Sequence, residues 1–230
     1  MDGMLILGVV VAGIAGVMIW SWVHEKKRTE AIAQVAQELN LEFTAHPLDW
    51  TSYLKMDFDL FQKGRSRIVS NLIEGRSHGT KVSIFDYRYK HSSSRQTNSG
   101  SLTVQKKSEA YQQQTVVLIG SDQLDLPTFS LYPETIFHWL ANVVGFQDIN
   151  FEDYPTFSKR YRLVGQDEPA IRERFQPEVL TYFEERTPLT VEARPHRLLI
   201  YRAGKRVKPQ QIPELLEEAF GVHVLLKNKG

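Results

Sequence analysis

The chain has 230 residues, 42% hydrophobic and 24% charged, with 28 basic and 27 acidic side chains giving a net charge of +1. Such a composition belongs to a folded protein with room for one mid-sized domain or two small ones, and the charge balance excludes a global pull toward nucleic acid. There is no cysteine, which excludes disulfides, thiolate metal sites and cysteine nucleophiles together.

Residues 4–23, MLILGVVVAGIAGVMIWSWV, are free of charge. A helix of that length spans about 30 Å of hydrocarbon, so the run reads as a transmembrane anchor over 1–24. A cleaved signal peptide fits less well, because Asp2 replaces the basic n-region and no small-residue cleavage site follows. Trp20 and Trp22 suit a headgroup zone, and Lys26, Lys27 and Arg28 follow the span. The positive-inside tendency then puts the body in the cytoplasm, the N-terminus outside, and the protein in the inner cell membrane. Gly8, Ala12 and Gly16 recur every fourth residue, a spacing that lets two spans approach closely and suggests a homodimer.

A stem helix is expected over 25–47, with Ala31, Ile32, Val35, Ala36 and Leu39 on one face and Asn40 as a left-handed terminator. From Leu48 to Tyr132 the punctuation is that of strands: Ile68 to Ile73, Val82 to Tyr89, the continuous apolar TVVLI of Thr115 to Ile119, and an alternating, half-buried segment at Phe129 and Leu131. Asp86, Arg88 and Lys90 are read as the solvent face of their strand. Gly75 to Lys81 resembles a phosphate loop in composition, but Lys81 is followed by valine and a strand, so a hairpin turn is expected instead. KHSSSRQTNSGS, from Lys90 to Ser101, is expected to be a loop.

Pro133 opens a helix carrying Ile136, Phe137, Leu140, Val143 and Val144, ended by Gly145. FSKRYRLVG, 157–165, reads as a strand. Asp167 caps a helix with Ile171 and Phe175, and Pro177 starts another with Val179, Leu180 and Phe183. LTVEA and RLLIYR pair as a hairpin across Pro195-His196, and Pro213 starts a last helix. The expected fold is α+β: an N-terminal transmembrane helix, an antiparallel β-rich unit over 48–150, and a small α+β unit over 151–230.

NLIEG, VSIFDYRY, LPTFSLYPE, GFQDINF and FSKRYRLVGQDEPAIRERF together resemble a group of uncharacterised, membrane-anchored bacterial proteins of unknown function. The resemblance covers about residues 58 to 202 and rests on packing and turn residues. It implies a bacterial membrane protein and supplies no catalytic or binding residue.

The seven histidines show no i,i+4 pair and no His-Glu-x-x-His arrangement, so neither zinc nor another cofactor is expected. Asp57/Asp59 and Asp148/Glu152/Asp153 lack the pattern of a calcium loop and read as solvated loop charges. No nucleophile elbow surrounds Ser92 to Ser94. Between Glu192 and Glu214 there is no acidic residue, while Arg194, Arg197, Arg202, Lys205, Arg206 and Lys208 fall inside. These six form a candidate basic edge that either discourages strand addition or contacts an anionic membrane surface or acidic protein. RNA is disfavoured because no aromatic stacking signature accompanies the run. The sequence thus points to a single-pass, non-catalytic membrane protein whose cytoplasmic body binds a protein partner or the membrane surface. The alternative is a membrane-anchored, hydrolase-like enzyme with an unrecognised site.

Overall fold

The computed structural model describes residues 2–99, 102–137 and 148–227. The first helix, α1, runs unbroken from Asp2–Glu38. A short strand β1 (Glu42–Thr44) and two single-turn helices, α2 (Thr51–Leu54) and α3 (Asp59–Gln62), follow. Three long strands come next: β2 (Arg65–Ser77), β3 (Thr80–Ser99) and β4 (Leu102–Ser121). The remainder is β5 (Phe129–Pro133), α4 (Glu134–Phe137), α5 (Pro155–Arg160), β6 (Tyr161–Gly165), α6 (Glu168–Arg174), α7 (Pro177–Glu185), β7 (Thr190–Arg194), β8 (Arg197–Tyr201) and α8 (Ile212–Leu226).

All eight strands belong to one sheet, ordered β1-β2-β3-β4-β8-β7-β5-β6 and antiparallel at every pairing. The expected division into units at 48–150 and 151–230 is therefore corrected. β8 inserts beside β4, with Val117 opposite Ile200, and β5 inserts beside β7. Strand exchange of this kind welds both stretches into one hydrogen-bonded sheet.

Among the described residues no helix is long and apolar enough to cross a membrane. This corrects the expected transmembrane helix. The apolar run at 4–23 has no helix of its own and no boundary before the expected stem. It is the leading part of α1, whose later turns are charged and docked on the sheet. Arg28, expected to mark a membrane flank, is buried: its Nε and Nη2 donate to the Asp86 carboxylate at 2.8 and 2.7 Å, and its Nη1 donates to the Val207 carbonyl at 2.8 Å. Asp86, in turn, does not face solvent. It also accepts from Asn71 Nδ2, Thr115 Oγ1 and Arg206 Nη2. Asn71 reaches it from a left-handed bulge in β2, φ 54°.

One face of the sheet packs under α1 and α5–α8. Ile32, Val35 and Ala36 of α1, Ile171, Val179, Leu180, Phe183 and Leu215 of the later helices, and Ile84, Val117, Val191 and Ile200 of the strands form this core. Asn40 ends α1 in the left-handed region at φ 55°, as its short polar side chain allows. The other face is covered by α2 and α3, which lay Tyr53, Phe58, Leu60 and Phe61 on Phe85, Tyr87, Tyr89, Leu199 and Tyr201. Strand β5 is buried on both faces rather than half-buried, because it lies between β7 and β6 with α3 above Ser130 and Tyr132.

His78 (φ 48°) and Gly79 (φ 78°) turn β2 into β3, the hairpin expected there. Gly75 lies within β2, where an added Cβ would meet Leu41 Cδ2 at 2.2 Å. Its small size serves packing against the end of α1. Lys90 to Ser99 is strand rather than loop, registered against Leu102 to Tyr111 without a shift. The sequence here shows no hydrophobic period; the backbone simply continues the pairing of the inner hairpin. FSKR, 157–160, is helix rather than strand, since Pro155 in the first turn favours helix, and β6 starts only at Tyr161, opposite Pro133. Pro133 itself ends β5, and α4 begins at Glu134. The rest of the helix expected there, with Leu140, Val143, Val144 and Gly145, lies outside the described residues.

Gly165 ends β6 where the chain passes beneath α6. A Cβ there would stand 2.4 Å from Ile171 Cδ1, 2.7 Å from the Thr128 carbonyl and 3.3 Å from Phe129 Cα. Two of these are backbone atoms in a paired strand region and cannot swing aside. Gly165→Ala is expected to cost about 1–3 kcal/mol of unfolding free energy by chemical denaturation, the range of overpacked cores.

Candidate functional site

The second face of the sheet holds a polar cluster under α3. Glu192 projects from β7 with no exposed surface. Tyr201 Oη donates to its Oε1 at 2.8 Å, and the Leu60 amide, at the start of α3, donates to both oxygens at 3.2 and 3.3 Å. The first N–H groups of a helix have no partner within it, and here a buried carboxylate takes one of them. Burial, followed by the nearby charge of Asp59, pushes the Glu192 carboxyl up to about 7 despite the opposing pull of Lys63, Tyr201 and Arg194.

Asp59 is the second acid of the cluster. It accepts from Ser130 Oγ at 2.7 Å, Tyr132 Oη at 2.5 Å and Arg194 Nη2 at 3.2 Å. Burial, with Glu192 and Asp59 nearby, holds the Tyr132 phenol well above its ordinary range. Lys63, just after α3, places its ammonium 5.5 Å from the centre of the Tyr132 ring. Burial pulls this amine below the usual lysine range, and the charges of Glu192 and Asp59 pull it back up.

Beside the cluster opens a cavity of about 230 Å³, whose walls include Leu60, Lys63, Tyr89, Gln114, Ile136 and Tyr201. Among the described residues no carboxylate or histidine lines it. Gln114 is buried at 1% exposure; its Oε1 accepts from the Gly204 amide at 3.2 Å, while its Nε2 has no hydrogen-bond partner. The wall thus offers donors and apolar surface, while the acids are held behind it. Among the described residues no group of three or more His, Asp or Glu is placed to hold a metal ion.

The six cations of the expected basic edge are dispersed. Arg194 packs inward on Asp59, the Asp57 carbonyl and the Phe58 ring. Arg202 pairs with Glu218 at 2.7 Å, and Arg206 with Glu25 at 2.7 Å and Asp86 at 3.2 Å. Arg197, Lys205 and Lys208 are exposed. Of the small-residue stripe, Gly16 has open space where a Cβ would stand, while Gly8 and Ala12 precede the part of α1 whose surroundings are described.

The backbone is shared with a solved protein. The crystal structure of the mycobacterial trehalose monomycolate transport factor A, TtfA, is similar to 86% of this chain over 94% of its own, with a TM-score of 0.58 and 11% sequence identity. At that identity the likeness is one of fold. No family model and no curated protein matches the sequence.

Sequence reasoning passed over Glu192, Lys63 and Gln114, and it read Asp59 as a solvated loop charge, whereas Asp59 is bonded to Ser130, Tyr132 and Arg194. A signal was present for the first: in β7 an acid stands between the apolar Val191 and Ala193. Burying an acid there requires partners, and only the fold supplies Tyr201 and Leu60. Asp59 gave no such hint, because its partners lie 71 to 135 positions away.

Proposed function

We propose that this chain is a non-catalytic accessory protein that binds a partner protein within a transport assembly, through the exposed apolar stretch of α1. The observation that carries this is the row Val17, Met18, Ile19, Trp20, Trp22 and Val23, which are 36–69% exposed. Contiguous apolar surface of this kind marks an interaction site, and tryptophan and methionine are enriched in interface centres. The stretch is also continuous with the docked part of the helix. Directly after it, Glu25 is bonded to Arg206, and one turn later Arg28 is bonded to Asp86. The fold likeness to a transport factor supports an accessory role in transport. Among the described residues the cavity wall carries no carboxylate or histidine, which supports binding rather than acid–base chemistry.

Photo-crosslinking tests this. A benzophenone side chain is placed at Met18, Trp20 or Trp22 of the full chain in the native host, with Leu48, 99% exposed and remote from the row, as control. A discrete protein adduct from the three helix positions and none from Leu48 is the expected result. Adducts with lipid alone, or no protein adduct from any of the three, overturn the proposal.

A further inference from the structure

We infer that the cavity on the second face of the sheet binds a small amphiphilic monocarboxylate, its carboxylate received by Lys63 and Gln114 and its short apolar part by Leu60, Ile136 and Tyr89. The inference is independent of the partner proposed for α1.

Four observations converge on this class of ligand. The Gln114 Nε2 is a buried donor without an acceptor, in a wall whose other amide atom is already committed to Gly204. Leaving such a donor unmatched is costly, and an oxygen acceptor in the cavity relieves it. On the same wall stands the Lys63 ammonium, which rests against the Tyr132 ring in a setting that disfavours its charge. An anion placed beside it would restore that charge.

The number of charges follows from the surroundings. Lys63 is the one cation among the described residues that line the cavity. Glu192 and Asp59 stand close behind the wall, near enough to perturb Lys63. Against one compensating cation and acids behind the wall, a carboxylate leaves less charge uncompensated than a dianion such as phosphate. An amine would meet the like charge of Lys63. Finally, the volume of about 230 Å³ falls below the roughly 300–1,000 Å³ of sites for drug-sized ligands, so the apolar part must be short.

Octanoate is the probe, added to the full-length protein and followed by NMR of the Gln114 side-chain amide and the Gly204 backbone amide. Saturable shifts at both groups are expected, with octylamine and inorganic phosphate producing neither. Lys63→Met keeps the length of the side chain while removing the charge. It should weaken octanoate binding by about 10- to 100-fold, the scale of one charge-assisted hydrogen bond, with the thermal midpoint maintained. Gln114→Glu replaces the donor by a repelling oxygen and should weaken binding by a similar factor. If that variant fails to fold, Lys63→Met still decides. Absence of shifts in the wild type, equal octanoate affinity in Lys63→Met, or tighter binding of octyl phosphate than of octanoate overturns the assignment.

Discussion

Asp86→Ala is expected to lower the unfolding free energy by about 3–5 kcal/mol, the cost of removing one partner from a buried ion pair. The Asp86 and Arg28 side chains are 6% and 9% exposed. Asp86 collects five donors from four residues: Arg28 twice, Asn71, Thr115 and Arg206, the last of which also donates to Glu25. Truncation strands the Arg28 guanidinium against the sheet, and α1 loses its anchor there. Denaturant titration gives the loss of stability. Hydrogen exchange should show α1 from Glu25 to Glu38 opening more readily than the central strands.

The double variant Arg28→Met/Asp86→Leu should cost less than Asp86→Ala alone, because it leaves no unpaired charge at the clamp. A loss below about 1 kcal/mol in Asp86→Ala, on the scale of exposed pairs, would show that the clamp does not hold the helix. The same pair gives an acid limit. Burial alone pushes the Asp86 carboxyl up, but the hydrogen bond and charge of Arg28, with Arg206 and Asn71, hold it below the ordinary aspartate range. A depressed folded value means that the stabilisation is complete above the unfolded aspartate range. It fades as pH falls through that range toward the folded value.

Glu192→Gln is expected to do the reverse and stabilise the protein in alkaline solution. Glu192 is fully buried, and its carboxyl is raised from an ordinary 4.5 to about 7. Between these values the native state holds a proton that the unfolded chain has released, so stability falls as pH rises. At about 1.4 kcal/mol per pH unit the penalty grows to about 3 kcal/mol near pH 7 and stays constant above it. A neutral glutamine removes the penalty and keeps an oxygen for Tyr201 and Leu60, although Lys63 and Arg194 lose a compensating charge. The variant should therefore exceed the wild type by about 2–3 kcal/mol at pH 8, with the advantage vanishing by pH 4.5. Denaturant midpoints measured across that range provide the check. A pH-independent difference would mean that Glu192 is ionised throughout and balanced by its neighbours.

Local features of this protein were legible in the sequence because short-range physics sets them. The stripe of Ile32, Val35 and Ala36 has the helical period, Asn40 tolerates the left-handed region, and Asp167 caps α6 by accepting from the Ala170 amide at 3.1 Å. His78-Gly79 and Pro195-His196 turn hairpins whose flanking residues alternate or run apolar. The buried TVVLI of β4 is central because both its faces are covered.

Tertiary structure decided everything that depends on partners distant in the chain. The sequence shows a cation after an apolar run and an acid in an amphipathic strand. It does not show that Arg28 and Asp86, 58 positions apart, neutralise one another. The same holds for a basic run without acids, half of which is matched by Glu218, Glu25 and Asp59 folded in from elsewhere. Charge along a chain is visible locally, whereas its compensation is a property of contacts. The outer hairpin and the single sheet were hidden for a related reason: a ladder is specified by backbone pairing, which side-chain periodicity records only where a face is buried.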